Sequence, residues 1–348
     1  MEEKSTKNRI VLIPGDGIGQ EVVPAAAEVL AALGLGLKFT EAPAGFEHFQ
    51  KTGQSIPDET LADIQAAGVA LFGATSSPST VVPGYRSPIL ALRRTFDLYA
   101  NLRPTYSLPG PFSRPGIDLL IVRENTEGLY AGRERREGDT AIAERVITVR
   151  GSERIAHAAF AQARRRAEVR AGAGHSPRPA VTIVHKANVL KLTDGLFREA
   201  CLRVAAGYPE VGVKEMLVDA MAMRLVRDPE AFDVLVTTNL FGDILSDEAS
   251  ALMGGLGVAP SANLGSQVAV FEPVHGSAPD IAGKGVANPF GAILSAGLLL
   301  EHIGQPRAAA AVAEAVRATV RAGVLPHDLG GRASTKAVTQ SVIQALAA

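Results

Sequence analysis

Residues 233–247 read DVLVTTNLFGDILSD. Residues 233–236 form a short apolar run of strand length, which breaks into Thr237-Thr238-Asn239 before helical spacing resumes. The same pattern recurs along the chain. Residues 118–122 run into Arg123-Glu124-Asn125-Thr126-Glu127-Gly128, and residues 181–184 into His185-Lys186-Ala187-Asn188. Residues 268–271 run into Glu272-Pro273-Val274-His275-Gly276. Further strands are expected at 9–13, 69–72 and 214–218, and helices at 21–33, 61–67, 291–303 and 308–322. Strands alternating with helices predict an α/β fold with a largely parallel sheet. Ligands in such sheets lie at the carboxyl ends of strands. Several strands that each deliver polar residues there point to a functional site.

The chain has 348 residues, enough for two domains at roughly 100–200 residues each. With 47% hydrophobic and 20% charged residues, a disordered chain is excluded. Thirty-five basic residues balance 36 acidic ones, so nothing global points to nucleic acid or an anionic membrane. Cys201 is the single cysteine, which precludes an intrachain disulfide and fits a reducing compartment. No apolar run approaches the roughly 20 residues of a spanning helix, and residues 1–9 lack the apolar core of a signal peptide. A cytoplasmic protein is expected. Residues 133–150, charged and then alternating, read as a solvated excursion or as an arm that pairs with another chain, the former favoured by charge pattern. Residues 171–179 read as a loop.

Gly15, Gly17 and Gly19 sit between a strand and a helix. Their spacing is not the G-x-G-x-x-G of a dinucleotide loop, so a tight turn needing positive φ is favoured. Asp243 and Asp247, four apart on one helix, put two carboxylates on one face, and Asp219 follows another strand. Carboxylate oxygens suit Mg²⁺ or Mn²⁺; two acids at a helix start equally suit its dipole. Arg93, Arg103 and Arg123 would answer a polycarboxylate, although a lone buried arginine is usually a structural ion pair. Lys186, after a wholly apolar strand, is a candidate general base or a salt bridge at a domain edge. Tyr130 by itself is a packed aromatic.

Longer stretches carry more information. IPGDGIGQE (13–21), LRRTFDLYANLRP (92–104), VRENTEGLY (122–130), HKANVLK (185–191), VDAMAMRLV (218–226), TTNLFGDILSDEAS (237–250) and EPVHGSAPDIAGKGVANP (272–289) together resemble the β-decarboxylating dehydrogenases. These are the isocitrate, 3-isopropylmalate, homoisocitrate and tartrate dehydrogenases, and the resemblance spans about residues 10–347. It implies the two-domain, non-Rossmann isopropylmalate/isocitrate dehydrogenase fold. The large domain would comprise 1–104 and 251–348, and a small dimerising domain 105–250, with an arm near 131–150. It implies a homodimer with shared active sites, with pairing of dimers into tetramers left open. By the same resemblance Arg93, Arg103 and Arg123 hold substrate carboxylates, and Asp219, Asp243 and Asp247 bind Mg²⁺ or Mn²⁺. Asp219, Lys186 and Asn188 would come from the partner chain. Lys186 takes the hydroxyl proton as hydride leaves for the nicotinamide, and Tyr130 helps protonate carbon after CO₂ departs. Glu272, His275, Gly276, Ser277, Ala278, Asp280 and Asn288 would cradle the cofactor, with Asn188 beside it. Asp280 implies NAD, because a carboxylate repels the 2′-phosphate of NADP.

The substrate is then a small 2-hydroxy polycarboxylate. Residues 76–93, SSPSTVVPGYRSPILALR, should read its distal group. Ile89 and Leu90 resemble the aliphatic pocket of isopropylmalate enzymes, but the loop around Ser77 and the run 84–94 look most like homoisocitrate dehydrogenase. Arg86, Ser77 and Ser87 are the polar candidates for a distal carboxylate. The expected reaction is oxidative decarboxylation of homoisocitrate to 2-oxoadipate, in lysine biosynthesis, with isocitrate a further substrate. The alternatives are 3-isopropylmalate, NAD-isocitrate or tartrate dehydrogenase. A ligand-binding regulatory subunit is the non-enzyme alternative, which a complete set of proton-transfer residues argues against.

Overall fold

The computed structural model describes residues 8–78, 80, 82–172 and 179–347. The chain divides into two compact units: Met1–Leu98, Leu108–Pro115 and Met253–Ala348, and Tyr99–Ser107 with Gly116–Leu252. The first unit opens with β1 (Arg9–Gly15), α1 (Gly19–Ala32), β2 (Lys38–Glu41), α2 (Phe46–Thr52), α3 (Asp58–Ala67), β3 (Val69–Ala74) and α4 (Pro88–Thr95). The second carries β4 (Ala100–Tyr106), β5 (Asp118–Glu124), β6 (Glu134–Glu137), β7 (Thr140–Ala143), α5 (Val149–Gly172), β8 (Ala180–His185), α6 (Thr193–Ala205), β9 (Gly212–Leu217), α7 (Val218–Arg227), β10 (Val234–Thr237) and α8 (Asn239–Ala251). The first unit then resumes with β11 (Pro260–Leu264), β12 (Ala269–Pro273), α9 (Phe290–His302), α10 (Pro306–Arg321) and α11 (Thr335–Leu346).

Within the first unit the strands run β2-β1-β3-β12-β11, parallel except for β11 against β12. Within the second they run β4-β5-β10-β8-β9, parallel except for β4 against β5. The expected α/β class with mostly parallel sheets is therefore what forms. Near-continuous apolar strands are buried on both faces by helices, as parallel sheets require. Val11, Ile13, Phe72, Leu92 and Val270 fill one core. Leu119, Ile121, Met221, Leu235 and Leu245 fill the other.

Residues 133–150 include a β6–β7 hairpin in the register Glu134↔Ala143 to Glu137↔Thr140, with most of its residues exposed. The loop expected at 171–179 begins later: Ala171 and Gly172 still belong to α5, and residues 173–178 lie outside the described residues.

The glycine turn is built by close backbone approach. Gly15 and Gly17 have φ of 75° and 59°. A Cβ on Gly15 would lie 2.1 Å from the Ala74 carbonyl oxygen, and one on Gly17 2.1 Å from that of Ser277. Asp16, buried between them, accepts the amides of Phe46 (2.7 Å), Glu47 (3.0 Å) and Ser76 (2.8 Å). The turn thus pins the start of α2 and the loop after β3.

In the second unit, Arg166 and Arg170 on α5 reach the beginnings of two strands. Arg166 donates to Asp118 (2.8 Å) and Asp233 (2.9 Å), and Arg170 to the same pair. Burial alone would raise the Asp118 carboxyl, but the two guanidiniums hold it below its usual value. A carboxyl depressed in the folded state contributes stability above its unfolded pKa of about 3.9, and loses it as pH falls through the folded value. About half the Asp118 side chain remains in water, which limits the contribution to about 1 kcal/mol or less. Asp118→Asn should therefore lower urea stability slightly at pH 7 and leave it unchanged at pH 2. Equal losses at both would contradict the ion-pair account.

Candidate active site

Arg123, next to last in β5, follows four apolar residues and is 1% exposed. A buried guanidinium needs compensation, and α8 provides it. Nε and Nη2 of Arg123 donate to Asn239 Oδ1 at 3.0 and 2.8 Å, and Nη1 donates to the Asp243 carboxylate. Gly242 faces the same side chain; a Cβ there would lie 2.6 Å from Arg123 Cγ. The Tyr130 hydroxyl also donates to Asp243, and its ring lies 5.1 Å from the Arg123 guanidinium. Burial first, and Asp243 second, push the Tyr130 phenol above its ordinary value, so it keeps its proton. Asp247, one turn on, is half exposed, with its carboxyl raised by burial and Arg103 Nη1 3.8 Å away. Arg103 Nε donates to Asn101 at 2.7 Å.

Asp243 and Asp247 lie beyond the first turn of α8, which holds no acid. They are not there to serve its dipole, contrary to one sequence expectation. Two carboxylates on one helix face, each beside an arginine, fit a hard divalent cation.

Residue type alone did not reveal how Tyr130 is held. Glu124 accepts the amides of Thr126 (2.9 Å) and Glu127 (2.8 Å), which curls the chain after β5. Glu127 accepts the Thr148 amide (2.9 Å) at the head of α5, and its carbonyl accepts Asn239 Nδ2 (3.1 Å).

Lys186 and Asp219 meet elsewhere on this unit. They form an ion pair, and the lysine's hydrogen bond holds the exposed Asp219 carboxyl below its usual value. Asn188 is exposed in the loop after Lys186. Among the described residues, no group of three His, Cys, Asp or Glu side chains is placed to hold a metal ion. One chain does not bring Asp219 to Asp243 and Asp247.

On the first unit, Arg93 is buried. Its Nε donates to Asn263 (3.1 Å) and its Nη2 lies 3.3 Å from Glu272, which also accepts from Asn263 (2.8 Å). Glu272, expected at the cofactor, is here the counter-ion of Arg93. Asn288 uses both ends of its amide inside the fold, to Asp328 (2.9 Å) and the Phe290 amide (3.0 Å). The loop between them is more open to a ligand. His275 Nδ1 lies 2.9 Å from the Gly276 carbonyl, which only accepts, so the ring proton is on Nδ1. Nε2 is then a buried acceptor without a hydrogen-bond partner. A Cβ on Gly276 would meet nothing, Ala278 has φ 38°, and Asp280 is exposed. An unpaired acceptor, an open backbone and an exposed carboxylate fit a nucleotide's amine and ribose hydroxyls. Ser277 is fixed by its Oγ to Ser76 Oγ at 3.1 Å, and Ser77 is exposed. A cavity of about 410 Å³ on α4 is lined by Arg86, Ser87, Leu90, Ala91, Arg94 and Thr95. Ile89 does not line it; it packs against the core.

The family model described as isocitrate/isopropylmalate dehydrogenase matches residues 9–346. The chain belongs to that family. It is 55% identical to a Thermus thermophilus protein named isocitrate/homoisocitrate dehydrogenase, over 97% of this chain and 98% of that one. It is 46% identical to a 3-isopropylmalate dehydrogenase of Methanothermobacter thermautotrophicus, over 97% and 98%. The crystal structure of isocitrate dehydrogenase from Methylococcus capsulatus matches with a TM-score of 0.90 at 42% identity, over 97% of this chain and 99% of that one.

The chain is thus a β-decarboxylating dehydrogenase, acting on a small hydroxy acid. Its Gly242 lies against the arginine at the centre of the cluster. Gly242→Ala should force Arg123 aside, costing about 1–3 kcal/mol in urea unfolding together with a loss of turnover. Unchanged stability and rate would mean that Arg123 yields freely.

Proposed function

We propose that the chain oxidises homoisocitrate with NAD and a divalent cation, releasing CO₂ and 2-oxoadipate, in the cytoplasm. The observation that carries the reading is the joint hold of Arg123 and Tyr130 on Asp243, with Asp247 and Arg103 beside it. In this reading Arg103 and Arg123 orient substrate carboxylates, and Asp243 and Asp247 hold Mg²⁺ or Mn²⁺. When bound, the cation polarises the hydroxyl and later the 2-oxo oxygen, and NAD accepts the hydride. Lys186 removes the hydroxyl proton. Tyr130, kept protonated by burial, donates from its hydroxyl to the carbon left by CO₂.

Lys186, Asn188 and Asp219 act in the site of a second copy. The separation of the Lys186–Asp219 pair from Asp243 and Asp247 supports this, as do the exposed Met223 and Val226 of α7 and Ile244 of α8. On the first unit, Asp280 receives the ribose hydroxyls, and Arg86 and Arg94 on either side of Leu90 meet the substrate's distal carboxylate. The second reading is 3-isopropylmalate, favoured by Leu90 in the cavity wall.

NADH formation by the purified chain alone tests the reading, with homoisocitrate, isocitrate, 3-isopropylmalate and tartrate side by side. Homoisocitrate should lead, chelator should abolish turnover, and Arg86→Ala should lower homoisocitrate kcat/KM by roughly tenfold while sparing isopropylmalate. A lead for isopropylmalate would give the site to the second reading. Rates with NAD should far exceed those with NADP, and Asp280→Lys with Ile281→Tyr should narrow the gap; equal use by the wild type would refute the role of Asp280. Mixing inactive Lys186→Met with inactive Tyr130→Phe chains should restore activity if sites are shared. No recovery despite proven subunit exchange would mean each chain works alone.

A further inference from the structure

Asp194, in the first turn of α6, is wholly buried, and nothing in the reaction above uses it. One of its oxygens accepts the backbone amide of Lys186 at 2.6 Å. The other lies 2.6 Å from Arg145 Nη1, in an orientation that makes an ion pair without an aligned hydrogen bond. Arg145 sits between the β6–β7 hairpin and α5. Its Nη2 donates to Thr238 Oγ1 at 2.8 Å, and its guanidinium lies 4.7 Å from the Phe241 ring centroid. Those two residues flank Asn239, which holds Arg123. The loop 186–194 is closed on itself as well, with the Lys186 carbonyl accepting the amides of Val189 and Leu190, and the Leu190 carbonyl that of Asp194.

We infer that Asp194 and Arg145 are positioning residues for Lys186: the buried pair fixes the backbone that carries the base against the head of α8 of its own chain, and so holds the base rigidly for the site it serves. The inference rests on the proposed role of Lys186. Burying a carboxylate and a guanidinium is expensive, and removing one partner strands the other. Such a pair fixes its attached segments, because leaving the arrangement exposes an uncompensated charge. A base displaced by about 1 Å loses on the order of a hundredfold in rate.

The test separates positioning from folding by comparing two partial reactions. Oxidation of the hydroxy acid needs Lys186; decarboxylation of the supplied 2-oxo acid relies on Tyr130 and the metal-binding carboxylates. In Asp194→Asn the unpaired Arg145 draws the amide oxygen away from the Lys186 N–H. Oxidation kcat should fall by roughly ten- to a hundredfold with KM little changed, and decarboxylation should hold. Adding Arg145→Met removes the competing cation and returns the amide oxygen to Lys186, so the double variant should regain much of the oxidation rate and of the circular-dichroism melting temperature. If Asp194→Asn fails to fold, the double variant and Arg145→Lys are compared instead, the first expected near wild-type oxidation and the second intermediate. Equal loss in both partial reactions, or a folded double variant with oxidation no better than the defective single variants, would overturn the inference. Lys186→Met serves as control. If it oxidises normally, the proposed base fails; if it is inactive while Asp194→Asn is normal, only the positioning role fails.

Discussion

The second unit is organised around one buried charge. Arg123 lies near the end of a strand, after four apolar residues, so its guanidinium leaves water only with partners in place. Asn239 and Asp243, four apart on α8, are those partners. They set the rotation of the helix, and Gly242 between them lets helix and arginine approach. The parallel register extends this order sideways. Arg123 pairs with Thr237, Thr237 with Val184 and Val184 with Met216, so the strand ends stand level. The chain leaves two of these strands with candidate site residues: Lys186 two residues after Val184, and Asp219 three after Met216, the two forming an ion pair.

That levelness explains why the α/β class, and the strand ends that carry the candidate site residues, were legible in sequence. An apolar run followed abruptly by Arg, Lys or Asn marks a strand's carboxyl end, whatever the rest of the fold does. The losses have equally physical causes. β11 begins with a proline and mixes polar with small residues, so no run announces it. α5 carries many arginines, and its apolar face of Ile155, Ala159, Phe160 and Ala163 is sparse. Glu124, Glu127 and Asp16 look like surface acids, yet all accept backbone amides. Residue type says that a carboxylate accepts hydrogen bonds; it does not say from whom. Likewise Glu272 and Asn288, expected to meet a cofactor, also hold partners inside the fold: Arg93 and Asn263 for the first, Asp328 and the Phe290 amide for the second.

The loop after β12 follows the opposite rule. There the telling feature is a polar atom left over. His275 Nε2 is an acceptor buried without a hydrogen-bond partner, which costs free energy in the free protein. A ligand that brings an N–H recovers that cost on binding. The turn of Gly15 and Gly17 supports the loop from behind, with the Ile18 amide on the Ser277 carbonyl at 2.8 Å. Glycine is needed at that turn because two backbones meet.

Under the proposed function, the charges of the second unit imply an ordered use of its ligands. Arg103 and Arg123 stand beside Asp247 and Asp243, so the cluster is close to neutral by itself. Lys186 and Asp219 likewise cancel. A neutral cluster has little attraction for a polycarboxylate, because its arginines already have carboxylate partners. A divalent cation taken up by Asp243 and Asp247 would compete for those same carboxylates, freeing both guanidiniums and leaving the cluster with a charge near +2. Under the proposed function, only then would the site match an anion bearing several carboxylates. The acids beside the arginines therefore do two jobs. They make burial of Arg123 tolerable in the free protein, and under the proposed function they would make tight substrate binding conditional on the metal.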